Sequence, residues 1–165
     1  LKINTRFNSA PSSSSNLEKE IQRLVDKIGI ECNKVEMSDK MGIGFYTHVP
    51  SILMSIDNVL QSMSKNAKGV TIYIDLKKVN KTVELIIFND QKIVFDNEFF
   101  NDRDFAHGKL ADVTRYTNGL CEYWIEGGLE NGNRKILNMH NGINVDKSEL
   151  SDLKHGFAHR FRFEK

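Results

Sequence analysis

The fold is decided by residues 49–90, whose sequence is VPSILMSIDNVLQSMSKNAKGVTIYIDLKKVNKTVELIIFND. Pro50 suits the first turn of a helix, where its missing N–H costs nothing. The apolar residues that follow recur at spacings of three and four, which predicts an amphipathic helix. These residues are Ile52, Leu53, Ile56, Val59, Leu60 and Met63. A helix with one apolar face must bury that face, so we expect it to pack on a sheet.

Two alternating runs supply strands for that sheet. Residues 70–74 and 83–88 place apolar side chains at every second position, and the polar segment 77–81 joins the two runs. This pattern predicts a β-hairpin. The second run ends in a polar break at Asn89, Asp90 and Gln91.

The rest of the chain supplies further helices and strands. Asn16 caps a helical pattern that ends at Gly29, and a second helical pattern covers residues 109–117. Alternating runs predict strands over residues 30–37, 121–126, 134–139 and 156–163, with turn signals at 127–128 and 131–132. Residues 91–108 keep no period. A segment of that length suits a lid over a site, and the plainer interpretation is disorder or a short irregular helix.

This order of elements predicts an α+β fold. We expect a two-layer α/β sandwich in which helices pack on one face of a mixed, mostly antiparallel sheet, because strands this close in sequence cannot all be joined by parallel crossovers. In the last strand Phe157, His159 and Phe161 share one face. Arg160 and Arg162 share the other face.

Length and composition indicate one domain. The chain has 165 residues, enough to bury a single core. Pro11 and the serines after it cannot bury enough surface to order themselves, so residues 1–15 are expected to be a flexible arm and residues 16–165 the folded domain.

Charge and cysteine usage narrow the class of protein. The formal net charge of +1 gives no overall electrostatic reason to bind nucleic acid. No apolar run approaches the roughly 18 residues of a membrane helix. Cys32 and Cys121 lie in apolar segments without metal-ligand spacing, which indicates buried thiols in a reducing, cytoplasmic compartment.

Four segments, taken in order, resemble the GHKL superfamily, which has the Bergerat ATP-binding fold, and within it the catalytic domain of sensor histidine kinases. The first is the helix segment 57–66, similar to the family's N box, where an asparagine side chain holds magnesium and phosphate oxygens. The resemblance puts Asn58 at the acidic position, Ser62 at the asparagine position and Lys65 at the basic position after it. A shift by one turn puts Asn58 at the magnesium position instead.

The other three segments follow the helix. The end of the hairpin is similar to the strand that leads into the family's Asp-x-Gly-x-Gly, where a carboxylate accepts a hydrogen bond from the adenine amino group, a role that falls here to Asn89 or Asp90. Residues 105–113 are similar to the glycine-rich turn before the third helix, which puts Gly108 and Lys109 at the triphosphate. Residues 156–163 are similar to the closing strand.

The resemblance therefore implies a domain that binds ATP and Mg²⁺ and works with a signalling partner protein. The residues it implies at the cofactor are Asn58, Ser62, Lys65, Asn89, Asp90, Gly108 and Lys109, with Asn58 and Ser62 at the metal. In this interpretation the γ-phosphate goes to a histidine elsewhere, because none of the five histidines of this chain lies in a long helical pair. Gln91 and Lys92 stand where the family has glycines, which favours an alternative: a pseudokinase, adaptor or phosphotransfer partner that keeps the fold.

Overall fold

The computed structural model describes residues 10–12, 14–28, 45–47, 49–66, 72–89, 108–129, 131–143 and 156–164. Within them the chain forms three helices and seven strands. In chain order these are β1 (Ala10–Ser12), α1 (Ser14–Ile28), β2 (Phe45–Thr47), α2 (Val49–Asn66), β3 (Ile72–Val79), β4 (Thr82–Asn89), α3 (Gly108–Thr117), β5 (Glu122–Gly128), β6 (Arg134–Asn138) and β7 (Phe157–Glu164).

The main sheet has five strands in the order β3-β4-β7-β5-β6. Every pairing between its described strands is antiparallel. The last strand of the chain, β7, lies at the centre, between β4 and β5. The predicted α+β class is confirmed, and the predicted parallel component is absent from the strands that the structure describes.

The helices cover one face of this sheet. Alternate residues of the strands and the apolar faces of the helices form one buried cluster, as the spacing in residues 49–90 predicts. From the helices it includes Ile21, Ile52, Ile56, Val59, Leu60, Met63 and Val113, and from the strands Ile72, Ile74, Val83, Leu85, Ile87, Tyr123, Ile125, Leu137, Phe157, Phe161 and Phe163. We call this side of the sheet the helix-covered face. The other side, on which none of the three described helices packs, is called the helix-free face.

The hairpin of β3 and β4 is tighter than the sequence suggests. The strands pair from Ile72 with Asn89 to Val79 with Thr82, so only Asn80 and Lys81 form the turn. Asn80 has a φ of 54°, the left-handed conformation that asparagine tolerates and that two-residue hairpin turns require. The polar segment predicted as a connection is therefore mostly strand, because ladder pairing outweighs the weak strand preference of lysine.

The structure differs from the predictions at three further points. Ala10–Ser12 forms a strand that pairs with Phe45–Thr47, and α1 begins at Ser14 rather than after Asn16. The pair at 127–128 belongs to β5 and pairs with β6, while the turn lies at Asn131 and Gly132, whose φ is 82°. The predicted strand at 30–37 and the segment 91–107 lie outside the described residues.

The other predicted elements are confirmed within about two residues at their ends. Helix α3 ends at Thr117, and Gly119, with a φ of 79°, follows as a stop signal. Among the described residues, no helix combines the length and the apolar run that crossing a bilayer requires.

Candidate functional site

The polar side of α2 is largely shielded from solvent. Asn58 is 8% exposed, and Ser62, one turn further on, is half-buried. Ser55, one turn before them, is fully buried, and its hydroxyl donates a hydrogen bond to the carbonyl oxygen of Ser51 at 2.9 Å. A helix face that only meets water would leave these side chains exposed, so this face of α2 is covered by other parts of the protein.

Asp57 adds a carboxylate to the same helix. Its Oδ2 accepts a hydrogen bond from the side-chain amide of Gln61 at 3.0 Å. Its Oδ1 is buried and has no hydrogen-bond partner among the described residues. A buried carboxylate oxygen without a donor costs free energy, so this atom is suited to a cation or to a donor from outside the described residues. In the sequence, Asp57 and Gln61 are only a pair of polar residues at i and i+4, a pattern that is common on solvated helices.

Asn89 lies at the end of β4, on the helix-covered face. It is two residues beyond Ile87, so strand alternation puts both side chains on the same side of the sheet. Asn89 pairs with Ile72 on one side and with Phe157 on the other, and it is 3% exposed. The strand end that the sequence marked as a polar break is thus a buried amide beside the helical layer.

Helix α3 begins at Gly108 and packs against α2. Val113 is part of the buried cluster and Leu110 packs against it, which fixes the helix on the same face of the sheet as Asn89. The N–H groups of the first turn of a helix have no partner within the helix and carry partial positive charge. The start of α3 therefore offers donors to an anion.

The structure brings part of the predicted set to one side of the sheet. Asn58 and Ser62 on α2, Asn89 on β4 and Gly108 at the start of α3 all belong to elements that border the helix-covered face. Lys65 and Lys109 lie in α2 and α3, and their side chains are outside what the structure describes. Asp90 lies outside the described residues. No cluster of metal-ligating side chains occurs within the described part of the chain.

A buried tyrosine–histidine pair lies on the same face, in β5 and β7. The hydroxyl of Tyr123 and Nδ1 of His159 are 2.6 Å apart, and the two side chains are 0% and 2% exposed. Desolvation lowers the pKa of His159 to about 3 and raises the pKa of Tyr123 well above its usual value. The imidazole is therefore neutral, and the direction of its hydrogen bond with the phenol depends on which ring nitrogen carries the proton.

Neither described histidine is placed as a phosphoacceptor. His159 lies within the central strand, and His140 lies in the turn after β6, where burial lowers its pKa. Neither of these two histidines is on a helix.

The family described as "Histidine Kinase domain observed in conflict contexts" matches residues 3–164 of this chain. The chain belongs to this histidine kinase family. The resemblance seen in four short segments is thereby confirmed over nearly the whole sequence. No curated protein matches the chain in sequence.

Solved histidine kinase domains share the fold. The nucleotide-free catalytic domain of histidine kinase ThkA is 12% identical, with 95% of this chain and 97% of that chain covered and a TM-score of 0.63. The ATP-binding domain of PrrB from Mycobacterium tuberculosis is 13% identical, with 95% and 97% covered and a TM-score of 0.57. ThkA in complex with the response regulator protein TrrA is 12% identical, with 96% of this chain but 42% of that chain covered and a TM-score of 0.62. At these identities the likeness shows the fold, which is that of a histidine kinase catalytic domain.

Proposed function

We propose that this histidine kinase domain binds ATP with Mg²⁺ in the space bordered by α2, the end of β4 and the start of α3. The observation that carries the proposal is the pair of buried amides, Asn58 on α2 and Asn89 on β4, which lie on elements bordering the same face of the sheet. An amide side chain offers both a hydrogen-bond donor and an acceptor, so these two residues are suited to contact the base and the phosphates of a nucleotide. Two solved structures with a similar fold support a nucleotide ligand: the ATP-binding domain of PrrB and the catalytic domain of ThkA, which was solved in a nucleotide-free form.

Each element has a distinct role in this proposal. Asn89, or Asp90 beside it, accepts a hydrogen bond from the amino group of the base, and the side chain of Asn58 meets the phosphate end. The first turn of α3, at Gly108, donates backbone N–H groups to the triphosphate, with Lys109 supplying a positive charge. Lys65 contributes a second cation from α2. The γ-phosphate is presented to a histidine of another segment or protein, a reaction that depends mainly on positioning and charge stabilisation.

The residues of α2 fit a magnesium ion. Mg²⁺ prefers oxygen ligands and is usually held by one or two protein groups together with phosphate oxygens and water. Asn58 and Ser62 offer an amide oxygen and a hydroxyl, and Oδ1 of Asp57 is a buried carboxylate oxygen with no hydrogen-bond partner among the described residues. The ion would neutralise charge on the phosphates, while these side chains hold the triphosphate at α2.

A second function is favoured by the amides themselves. Asn58 and Asn89 are uncharged, so the site has less negative charge for a metal than one with carboxylates at these positions. A pseudokinase that senses nucleotide, or an adaptor that binds a signalling protein, keeps the same fold without phosphoryl transfer. The complex of ThkA with a response regulator protein supports a signalling partner in either case. The free thiol of Cys121 is consistent with our proposal of a cytoplasmic location.

Thermal unfolding with and without Mg²⁺-ATP tests the proposal. A ligand that binds only the native state raises the midpoint as its concentration exceeds the dissociation constant. We expect millimolar Mg²⁺-ATP to raise the midpoint of the wild-type protein, and Asn89→Ala to abolish the shift. Asn118→Ala, at an exposed position just after α3, is the matched control and should keep it.

The outcomes separate the candidate functions. No shift for the wild-type protein at millimolar nucleotide would sink the nucleotide proposal and leave the adaptor. A shift that requires Asn89, together with phosphoryl transfer to a histidine-containing partner segment, supports the kinase. A shift without any transfer supports the nucleotide-sensing pseudokinase.

A further inference from the structure

The helix-free face of the sheet carries a ladder of charged side chains that is almost entirely buried. It crosses four adjacent strands, β4, β7, β5 and β6, and consists of Arg162, Glu84, Arg160, Glu126 and Arg134. Arg160 is 1% exposed and Glu126 is 0% exposed. We call these five residues the charge ladder.

Each carboxylate of the ladder bridges two guanidinium groups. Glu126 accepts a hydrogen bond from Nε of Arg134 at 2.5 Å and one from Nε of Arg160 at 3.0 Å. Glu84 accepts from Nη1 of Arg160 at 2.5 Å and from Nη2 of Arg162 at 3.3 Å. Because each acid uses both oxygens, a shift of one member is transmitted to its neighbours.

The β6 end of the ladder reaches the start of β7. Nη2 of Arg134 donates a hydrogen bond to the carbonyl oxygen of Gly156 at 3.0 Å, so this side chain spans the intervening strand β5. Gly156 has a φ of 89°, a conformation that favours glycine, and it directly precedes Phe157. Phe157 pairs with Asn89. Arg134 thus holds Gly156. The next residue along the chain, Phe157, is the β7 partner of Asn89.

The geometry of Arg134 needs a guanidinium. One planar group donates at the same time to a carboxylate on β5 and to a carbonyl at the start of β7. An ammonium on a flexible stem makes a point contact and does not reproduce this fork. Buried ion pairs add little stability compared with apolar packing. We therefore infer that the ladder serves to hold the strands in a defined geometry rather than to stabilise the fold.

We propose that Arg134 is a positioning residue for the nucleotide site: it fixes the start of β7, and through Phe157 the end of β4 that carries Asn89. This inference rests on the proposed nucleotide function. It also means that the hairpin of β5 and β6, on the far side of the sheet from β3, is mechanically coupled to the nucleotide site. A small displacement at Asn89 weakens binding strongly, because well-placed contacts depend on sub-ångström geometry.

The test compares two arginines of the same ladder. Arg134→Lys keeps the charge beside Glu126 but cannot also hold Gly156. The matched control, Arg162→Lys, changes the other end of the ladder, which contacts Glu84 and lies near the opposite end of β7. By titration calorimetry with Mg²⁺-ATP we expect Arg134→Lys to weaken binding about tenfold and Arg162→Lys to change it less than about twofold. Urea denaturation of both variants shows whether their stability losses differ.

A second measurement separates position from general destabilisation. In the wild-type protein and both variants, the backbone amide signals of Phe157 and Asn89 are compared by nuclear magnetic resonance. We expect Arg134→Lys to shift both signals while Arg162→Lys leaves them in place. If Arg134→Lys fails to fold, the double variant Arg134→Met with Glu126→Gln removes the facing charges together and is measured in the same way.

Each result supports or overturns the inference. Equal loss of affinity in the two lysine variants, or unchanged affinity in both, overturns it while nucleotide binding by the wild-type protein stands. Absence of binding by the wild-type protein overturns the proposed function and, with it, this role of Arg134. A selective loss in Arg134→Lys with shifted signals at Phe157 and Asn89 supports it.

Discussion

At the centre of the five-stranded sheet both faces are buried, yet their chemistry is opposite. On the helix-covered face, helices α1, α2 and α3 pack on aliphatic and aromatic side chains, and Tyr123 and His159 form a neutral hydrogen-bonded pair. On the helix-free face, Trp124 and Ile136 form a small apolar cluster beside the charge ladder. The same alternation of β7 sends Phe161 to one face and Arg160 to the other, and each is 1% exposed.

This difference teaches that burial and apolarity are separate properties of a strand. Hydrophobic packing holds the helix-covered face and tolerates small shifts, because the hydrophobic effect has no direction. The ladder holds the helix-free face by directed contacts, since each of its hydrogen bonds joins a guanidinium N–H to a particular carboxylate or carbonyl oxygen. The first face accounts for the fold, and we expect the second to fix the relative positions of β4, β7, β5 and β6.

The largest expected effect comes from breaking the ladder at its centre. Glu126→Ala leaves the guanidinium groups of Arg134 and Arg160 without their shared carboxylate in a buried site. Removing one partner of a buried pair costs about 3–5 kcal/mol, so we expect a loss of that size in the free energy of unfolding, measured by urea denaturation.

The control for this variant lies on the same strand. Glu122→Ala removes an exposed carboxylate and should change the free energy of unfolding by less than about 0.5 kcal/mol. A loss at Glu126 no larger than the loss at Glu122 would contradict the burial of the ladder.

The helix-covered face should lose stability through a different mechanism. Leu85 is 0% exposed and adjacent to Glu84, but its side chain is in the apolar cluster. Leu85→Ala creates a cavity, for which we expect a loss of about 3 kcal/mol by the same denaturation measurement. Leu85→Met nearly conserves volume and should cost less than about 1.5 kcal/mol. Equal losses for the two substitutions would show that packing at this position is not tight.

Acid should weaken the helix-covered face through His159. Its pKa in the folded protein is about 3, below the ordinary value of 6.5, so the unfolded chain binds more protons between these pH values. The contribution of His159 to the free energy of unfolding is therefore fully present above about pH 6.5 and decreases as the pH falls towards 3. The slope from this residue is at most about 1.4 kcal/mol per pH unit. His140 shifts in the same direction and adds to the slope.

Denaturation midpoints measured from pH 7 to pH 4.5 check this expectation. The double variant Tyr123→Phe with His159→Phe removes both hydrogen-bonding partners and should reduce the slope. A slope unchanged by the double variant would assign the acid sensitivity to other groups.

The smallest effect is expected for an ion pair outside both faces. Arg115 and Asp112 lie one turn apart on α3, with side chains 68% and 33% exposed. Such a pair is screened by water, so Arg115→Ala should change the free energy of unfolding by less than about 0.5 kcal/mol. A change as large as that expected for Glu126→Ala would mean that exposed charges of this domain matter as much as the ladder.

The sequence predicts the helix-covered face well and the helix-free face poorly. The three-and-four spacing in α2 and the alternation in β4 identify the core, because both patterns follow directly from backbone geometry. The alternation of Arg160 and Arg162 was also visible, but charged residues at alternate positions usually meet solvent. Their burial depends on partners far away in the chain, since Glu84 and Glu126 lie 76 and 34 positions from Arg160.

The candidate site was predicted in part. Asn58, Ser62 and Asn89 were found through the resemblance to histidine kinases, which the family match supports for the fold. Their roles stay predictions. Asp57 was missed because an aspartate paired with Gln61 at i, i+4 resembles an ordinary solvated pair, and the buried state of Oδ1 depends on tertiary packing.

The most direct test of the account is a nuclear magnetic resonance titration with a nonhydrolysable ATP analogue and Mg²⁺. We predict saturable changes in the amide signals of Asn58, Ser62 and Asn89 and at the start of α3, and these changes should be larger than any at Trp124 and Ile136 of the β5–β6 hairpin. Saturable changes confined to Trp124 and Ile136, or no saturable change at millimolar analogue, would contradict the nucleotide site on the helix-covered face.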